Sequence, residues 1–168
     1  MQRIIFVSVM AVVALIGSAV AVRADAQDNA DPLAGTTVEA LGSVMPTSAP
    51  EHALVFLRIT MEPGASIPAH SHPGGVVLVV ESGSFGTEFV QGSGTITRAT
   101  TPGTPAATEE SPAGAEAILE AGDSVAYDQD AAHTMRNAGE EPLVLLVSAL
   151  LAADEPGFLF LEAGTPAP

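Results

Sequence analysis

The strongest constraint on this chain is the spacing of its turn signals. Pro63-Gly64, Pro73-Gly74-Gly75, Ser82-Gly83-Ser84 and Gly92-Ser93-Gly94 follow one another at intervals of nine or ten residues. Proline presets one turn position and glycine accepts a positive φ, so each cluster ends an element. Only short strands fit between them. Ala53 to Met61 sets Val55, Leu57, Ile59 and Met61 on one apolar face and Leu54, Phe56, Arg58 and Thr60 on a mixed one, the period of a strand. Ile67 to His72, Val76 to Val80 (expected as its hairpin partner), Phe85 to Val90 and Thr95 to Ala99 continue the series. Strands resume at Glu116 to Leu119, Ser124 to Tyr127 and His133 to Arg136. Leu143 to Leu151 reads as a strand buried on both faces, and Phe158 to Glu162 as a last edge strand. With sixteen Gly, thirteen Pro and no Trp, the expectation is an all-β fold, a small closed β-barrel or double-sheet jelly roll. No internal repeat is present.

The flanks read differently. Residues 1–26 carry Arg3, a run of nineteen uncharged residues from Ile4 to Val22, and small residues ending in Ala24-Asp25-Ala26, the layout of a secretory signal cut after Ala26. Ala19-Val20-Ala21 is a competing cleavage site, and the same run approaches the roughly 20 residues of an uncleaved membrane anchor. The expectation is a secreted or periplasmic protein with no membrane contact beyond this segment. Residues 27–50 read as a linker with one short strand near Thr37 to Leu41. Residues 51–162 form the domain, and 163–168 a flexible tail. Within the domain, residues 101–115 hold three prolines and no large apolar side chain, the composition of a disordered insertion.

The chain has no cysteine, which excludes disulfides and a lipid-bearing thiol, so it depends on its core and on any metal it binds. Its net charge is −15, and cleavage after Ala26 makes it −16 because Arg3 and Arg23 leave with Asp25. Such a surface repels nucleic acid and anionic lipid. The simplest reading of the charge is solubility or adaptation to salt.

His70 and His72 are two apart in a strand, so their side chains leave the same face. His133 lies sixty-one residues downstream of His72 on another strand and meets them only if the sheet closes on itself. Three imidazoles with open positions suit a catalytic-style divalent metal site, with Fe, Zn, Mn, Ni or Cu as candidate ions. An H-x-H pair alone is weak evidence, since two histidines on a strand are more often exposed or hydrogen-bonded.

The surroundings add weight. Gly64, five residues, His70-Ser71-His72, three residues, Val76, six residues and Gly83 resemble the first motif of the cupin superfamily. Gly122, five residues, Asp128, one, Asp130, two, His133, three and Asn137 resemble the second. The resemblance covers about Leu54 to Leu151 and implies a single-domain cupin barrel with a metal in its mouth, held by His70, His72 and His133. It departs at Val76, where the first motif usually has a metal-binding glutamate, and at Asp128 and Asp130, where the second usually has Pro and Gly. A turn tolerates the two aspartates. Val76 leaves a divalent ion its full +2 charge, which favours anionic or chelating oxygen ligands.

The resemblance implies a metal-dependent enzyme of small molecules, with a dioxygenase leading because three-histidine iron sites occur among cupin thiol and diketone dioxygenases. A non-catalytic module holding a small ligand or a metal is the alternative, and a vestigial site the third. The expected partner is a small molecule, with a homodimer also admitted. Glu81, Glu62 and His52 are weak substitutes for the missing glutamate. Asn137 reads as a turn residue, Tyr127 as a half-buried strand residue, Arg58 as the partner of a carboxylate and Arg136 as pointing outward.

Overall fold

The computed structural model describes residues 31–101, 104 and 106–161, and among them every regular element is a strand. Twelve are present: β1 (Thr36–Val44), β2 (His52–Met61), β3 (Ser66–Ser71), β4 (Gly74–Ser82), β5 (Ser84–Gln91), β6 (Ser93–Thr97), β7 (Thr108–Pro112), β8 (Glu116–Glu120), β9 (Ser124–Tyr127), β10 (Ala132–Asn137), β11 (Leu143–Ala152) and β12 (Leu159–Phe160). They form a seven-stranded sheet, β1-β2-β11-β4-β9-β6-β7, and a five-stranded sheet, β12-β3-β10-β5-β8, with every pairing antiparallel. The apolar faces of the two sheets share one core that includes Ile59, Met61, Leu78, Phe85, Phe89, Leu119 and Leu145.

From β2 to β6 and again from β8 to β12, each successive strand enters the opposite sheet. The expected hairpin of β3 with β4 is therefore not formed: β3 pairs with β10 and β12, and β4 with β9 and β11. Pro73-Gly74-Gly75 and Ser82-Gly83-Ser84 turn corners between sheets. Gly74 has φ +156°, and a Cβ there would sit 2.0 Å from the Leu150 carbonyl oxygen. Gly83 has φ +84°, and its Cβ would lie 2.9 Å from the Leu143 Cα. Both corners press against β11, and only glycine fits.

Three further expectations need correction. The linker strand is longer than Thr37 to Leu41, because β1 adds nine residues to the edge of β2. The segment 101–115, read as disordered, contains β7, which pairs with β6 over five residues. β7 and the turn after it are held by ladder hydrogen bonds, by the ion pair of Arg98 with Glu109 and by the Gly114 amide donating to the Phe89 carbonyl, none of which needs an apolar side chain. The apolar run of β11 is central in its sheet but buried on one face only, with Leu150 38% exposed on the other. The proposed signal at residues 1–26 and the tail at 163–168 lie outside the described residues.

Candidate metal centre

β10 lies beside β3 in the five-stranded sheet, and the register sets His133 directly opposite His70. The expectation that the sheet must close to bring them together is wrong; they are cross-strand neighbours, the closest placement a sheet offers. His72 follows the end of β3 on the same side. Ring centroids are 4.6 Å apart for His70 and His133, 5.0 Å for His70 and His72, and 5.7 Å for His72 and His133. One ligating atom from each of the three lies within 4.8 Å of the others. Fourth-ligand candidates stay apart: Glu81 pairs with Arg58 at 3.7 Å, and neither His52 nor Glu62 joins the group.

The hydrogen bonds define which nitrogens are available. His70 Nδ1 donates to the Pro68 carbonyl at 2.8 Å, and His72 Nδ1 to the Gly157 carbonyl at 2.6 Å. A carbonyl only accepts, so both protons sit on Nδ1. Thr87 spends its hydroxyl proton on the Thr134 carbonyl at 2.9 Å and so accepts from His133 Nδ1 at 3.1 Å. All three rings therefore offer a bare Nε2. Those of His70 and His133 are buried without a protein partner, a state that costs free energy unless something else binds there.

Burial also keeps the rings neutral. Removal from water, with the nearby His72 adding to it, lowers the His70 pKa to about 3 against the opposing Pro68 hydrogen bond. Burial pushes His133 well below its ordinary value and His72 in the same direction. Neutral imidazoles with Nδ1 tied to an acceptor and Nε2 free are the form that ligates a metal. These residues fit a divalent ion.

The seven-stranded sheet supplies the facing wall. A cavity of about 50 Å³ beside His72 is lined by Leu57, Val76, Leu78, Val147 and Phe158 among others. Val76 is 3% exposed and pairs with Tyr127, so no carboxylate stands at that position. Tyr127, expected half-buried, is buried with its ring 4.6 Å from that of His133, and burial holds the phenol protonated. A wider groove of about 510 Å³ opens on the outside near Asp128 and Asp130 and lacks the histidines, so the small inner cavity is the one tied to the chemistry.

Other readings hold. Asn137 donates from Nδ2 to the carbonyls of Met61 and Glu141 and accepts from the Gly139 amide, the work of a turn residue. Arg58 pairs with Glu39, and the exposed Arg136 with Glu116. Thr87, Pro68, Gly157 and Phe158 escape a sequence reading. Nothing in their spacing marks them, since Thr87 meets His133 only through the pairing of β5 with β10.

No protein-family model matches the chain, and no curated protein matches it in sequence. Solved structures are similar in fold. DMSP lyase DddQ from Ruegeria pomeroyi superposes with a TM-score of 0.51 at 16% identity, over 82% of this chain and 57% of that one. A variant of salicylate 1,2-dioxygenase from Pseudoaminobacter salicylatoxidans gives 0.47 at 16% identity over 69% of this chain, which spans only 26% of the dioxygenase. The cupin domain of an XRE-family transcriptional regulator from Enterobacter cloacae gives 0.43 at 16% identity, over 68% of this chain and 95% of the domain. The fold is the cupin fold. Its inner face carries a close group of three histidines.

Proposed function

We propose that the protein is an exported cupin-fold metalloprotein that holds one divalent ion through the Nε2 atoms of His70, His72 and His133 and acts on a small molecule, with dioxygen chemistry the leading activity. One observation carries the reading: three neutral imidazoles, those of His70 and His133 fully buried, bring a ligating atom each within 4.8 Å of one another, with Nδ1 of each tied by a hydrogen bond and Nε2 left free. When bound, the ion supplies Lewis-acid or redox chemistry to an oxygen-bearing ligand at its open positions.

The residues of the chain do the rest. Pro68, Gly157 and Thr87 hold the rings in the ligating tautomer. Val76, lacking charge, leaves the site to anionic or chelating oxygen. The aliphatic wall and Phe158 exclude water and accept an apolar portion of the ligand. Among the described residues no carboxylate joins the histidine group, and burial keeps the Tyr127 phenol protonated and so without a basic oxygen, which favours metal-centred over acid-base chemistry.

The test is metal analysis of protein purified without a histidine tag, followed by oxygen uptake with small carboxylates and chelating diketones. Near one equivalent of a transition metal in the parent and far less in His133→Ala supports the site; no metal in the parent overturns it. A cavity of about 50 Å³ also supports a second reading, a non-catalytic module for a small ligand or a metal. Metal and ligand binding without oxygen uptake or product would establish that reading.

A further inference from the structure

Of the three candidate ligands, His70 and His133 are 0% exposed and His72 is half-buried, so His72 is the one nearest the opening of the site. A short segment, Ala153 to Leu161, lies over it. This segment leaves the end of β11 in the seven-stranded sheet and lands as β12 on the edge of the five-stranded sheet, so it crosses from one sheet to the other. Phe158 sets its ring 5.0 Å from that of His70 and 5.2 Å from that of His72, and the preceding Gly157 carbonyl accepts the His72 Nδ1 proton at 2.6 Å. The segment thus touches two of the three ligands.

We infer that this strap is the gate of the metal centre and that Phe158 is its plug, which sets the size of the ligand admitted. The inference rests on the proposed metal site and adds how a ligand reaches it. Space is the first argument. The inner cavity measures about 50 Å³, room for a few waters at about 10–15 Å³ each. Small-molecule sites measure roughly 300 Å³ or more. A carboxylate or a diketone therefore enters only if a wall moves.

The strap is the wall held least. In the facing wall β11 pairs with β2 over ten residues and with β4 over eight, and β10, which carries His133, is paired on both sides. β12 pairs over two residues, Leu159 with Ser71 and Phe160 with His70, and among the described residues its other edge has no partner strand. Beyond that ladder and the Gly157 contact, the Leu161 amide donates to the Ala69 carbonyl and the Ala153 amide to that of Glu51. Ala153, Asp154 and Glu155 between these ties are exposed. Lifting the strap would withdraw Phe158 from both rings and take the acceptor from His72 Nδ1, leaving that ring free to turn. By linkage, an ion that holds His72 favours the closed strap.

Hydrogen exchange and metal exchange test this together. In the metal-free protein the amides of 153–161 should exchange about tenfold or more faster than those of β10, and added cobalt(II) should slow them. Because the chain has no cysteine, Ser71→Cys with Leu159→Cys places a sole pair of thiols across the β3–β12 ladder, on the face turned away from the histidines. Once oxidised, the pair should slow both cobalt(II) uptake and its extraction by a chelator about tenfold or more, and a phosphine reductant should restore the parent's rates. Phe158→Ala should speed both. In the cobalt(II)-loaded protein, whose visible spectrum reports ligands at the ion, Phe158→Ala should also tighten benzoate about tenfold and leave acetate unchanged. A parent that takes up no cobalt(II) fails the metal site and the gate with it. A parent that takes it up overturns the gate alone in any of three cases: its strap exchanges as slowly as β10, the oxidised thiols leave both rates unchanged, or Phe158→Ala alters neither extraction nor benzoate binding. If the thiols do not couple, the strap amides and Phe158→Ala still decide.

Discussion

The two sheets divide the work in opposite ways on their two faces. The inner face of the five-stranded sheet carries polar groups, with His70, Thr87 and His133 buried and linked by hydrogen bonds to their own sheet or to adjoining loops. Its outer face carries the charged Arg136, Glu116, Glu88 and Glu120 among small and apolar residues. In the seven-stranded sheet the inner face is apolar apart from the Tyr127 phenol and Ser111, and the outer face exposes Leu54, Phe56, Val77, Val79 and Leu150 around the Arg58 ion pairs with Glu39 and Glu81. One sheet thus holds the histidines and faces water, while the other supplies a wall inside and exposes apolar side chains outside. Buried polar groups are tolerated where their partners already lie in the same sheet, which is why the ligands gather on one side.

The contrast is broken most severely by removing a ligand. His133→Ala should lower metal affinity by more than the roughly 10- to 100-fold typical of losing an outer hydrogen-bond partner, measured by titration against a competing chelator. His52→Ala should leave it unchanged. Equal losses from the two would mean that the ligand set is misassigned.

Acid should expose the cost of keeping the rings neutral. Unfolded histidines take protons near 6.5, whereas burial lowers His70 to about 3 and moves His72 and His133 in the same direction. The unfolded chain therefore binds more protons in this window. Stability of the metal-free protein, full above about pH 6.5, should fall as pH drops toward 3, by roughly 1.4 kcal/mol per pH unit for each ring that stays neutral. Urea denaturation with chelator at stepped pH measures this slope, and a flat profile between pH 6.5 and 5 would show that the rings are not held neutral.

Val76→Glu tests the wall by giving it a carboxylate. In chelator the variant should be less stable than the parent by about 1–3 kcal/mol, the scale for a poorly paired buried polar group, and added metal should restore it. Calorimetry with and without metal reads both halves. If metal restores nothing, position 76 does not reach the ion.

The smallest effect tests the supporting shell. Thr87→Val keeps shape but leaves His133 Nδ1 without its acceptor, so metal affinity should fall about 10- to 100-fold, while the fold persists. Chelator competition together with the melting temperature separates this from simple unfolding.

The spacing of turn signals and the period of β2 made the strands legible, since a two-residue alternation between glycine-rich corners has no other regular solution. Ser124 to Tyr127 is β9 as read, and β2, β10 and β11 each differ from their expected limits by one or two residues. The three histidines were legible as a group only through two motifs in order. Pairing was not legible: alternation says which residues share a face, but not which strand lies alongside. That choice decides that the glycine corners cross between sheets, that His133 stands opposite His70, and that β7 forms in a segment with nothing apolar to bury. By itself the sequence determined the strand content, the corners and the identity of the candidate ligands, because these depend on local backbone and side-chain chemistry. Only the tertiary structure decided the tautomers, through the carbonyls of Pro68 and Gly157 and the hydroxyl of Thr87, and the apolar side chains exposed on the seven-stranded sheet, because both arise from contacts between residues that are distant along the chain.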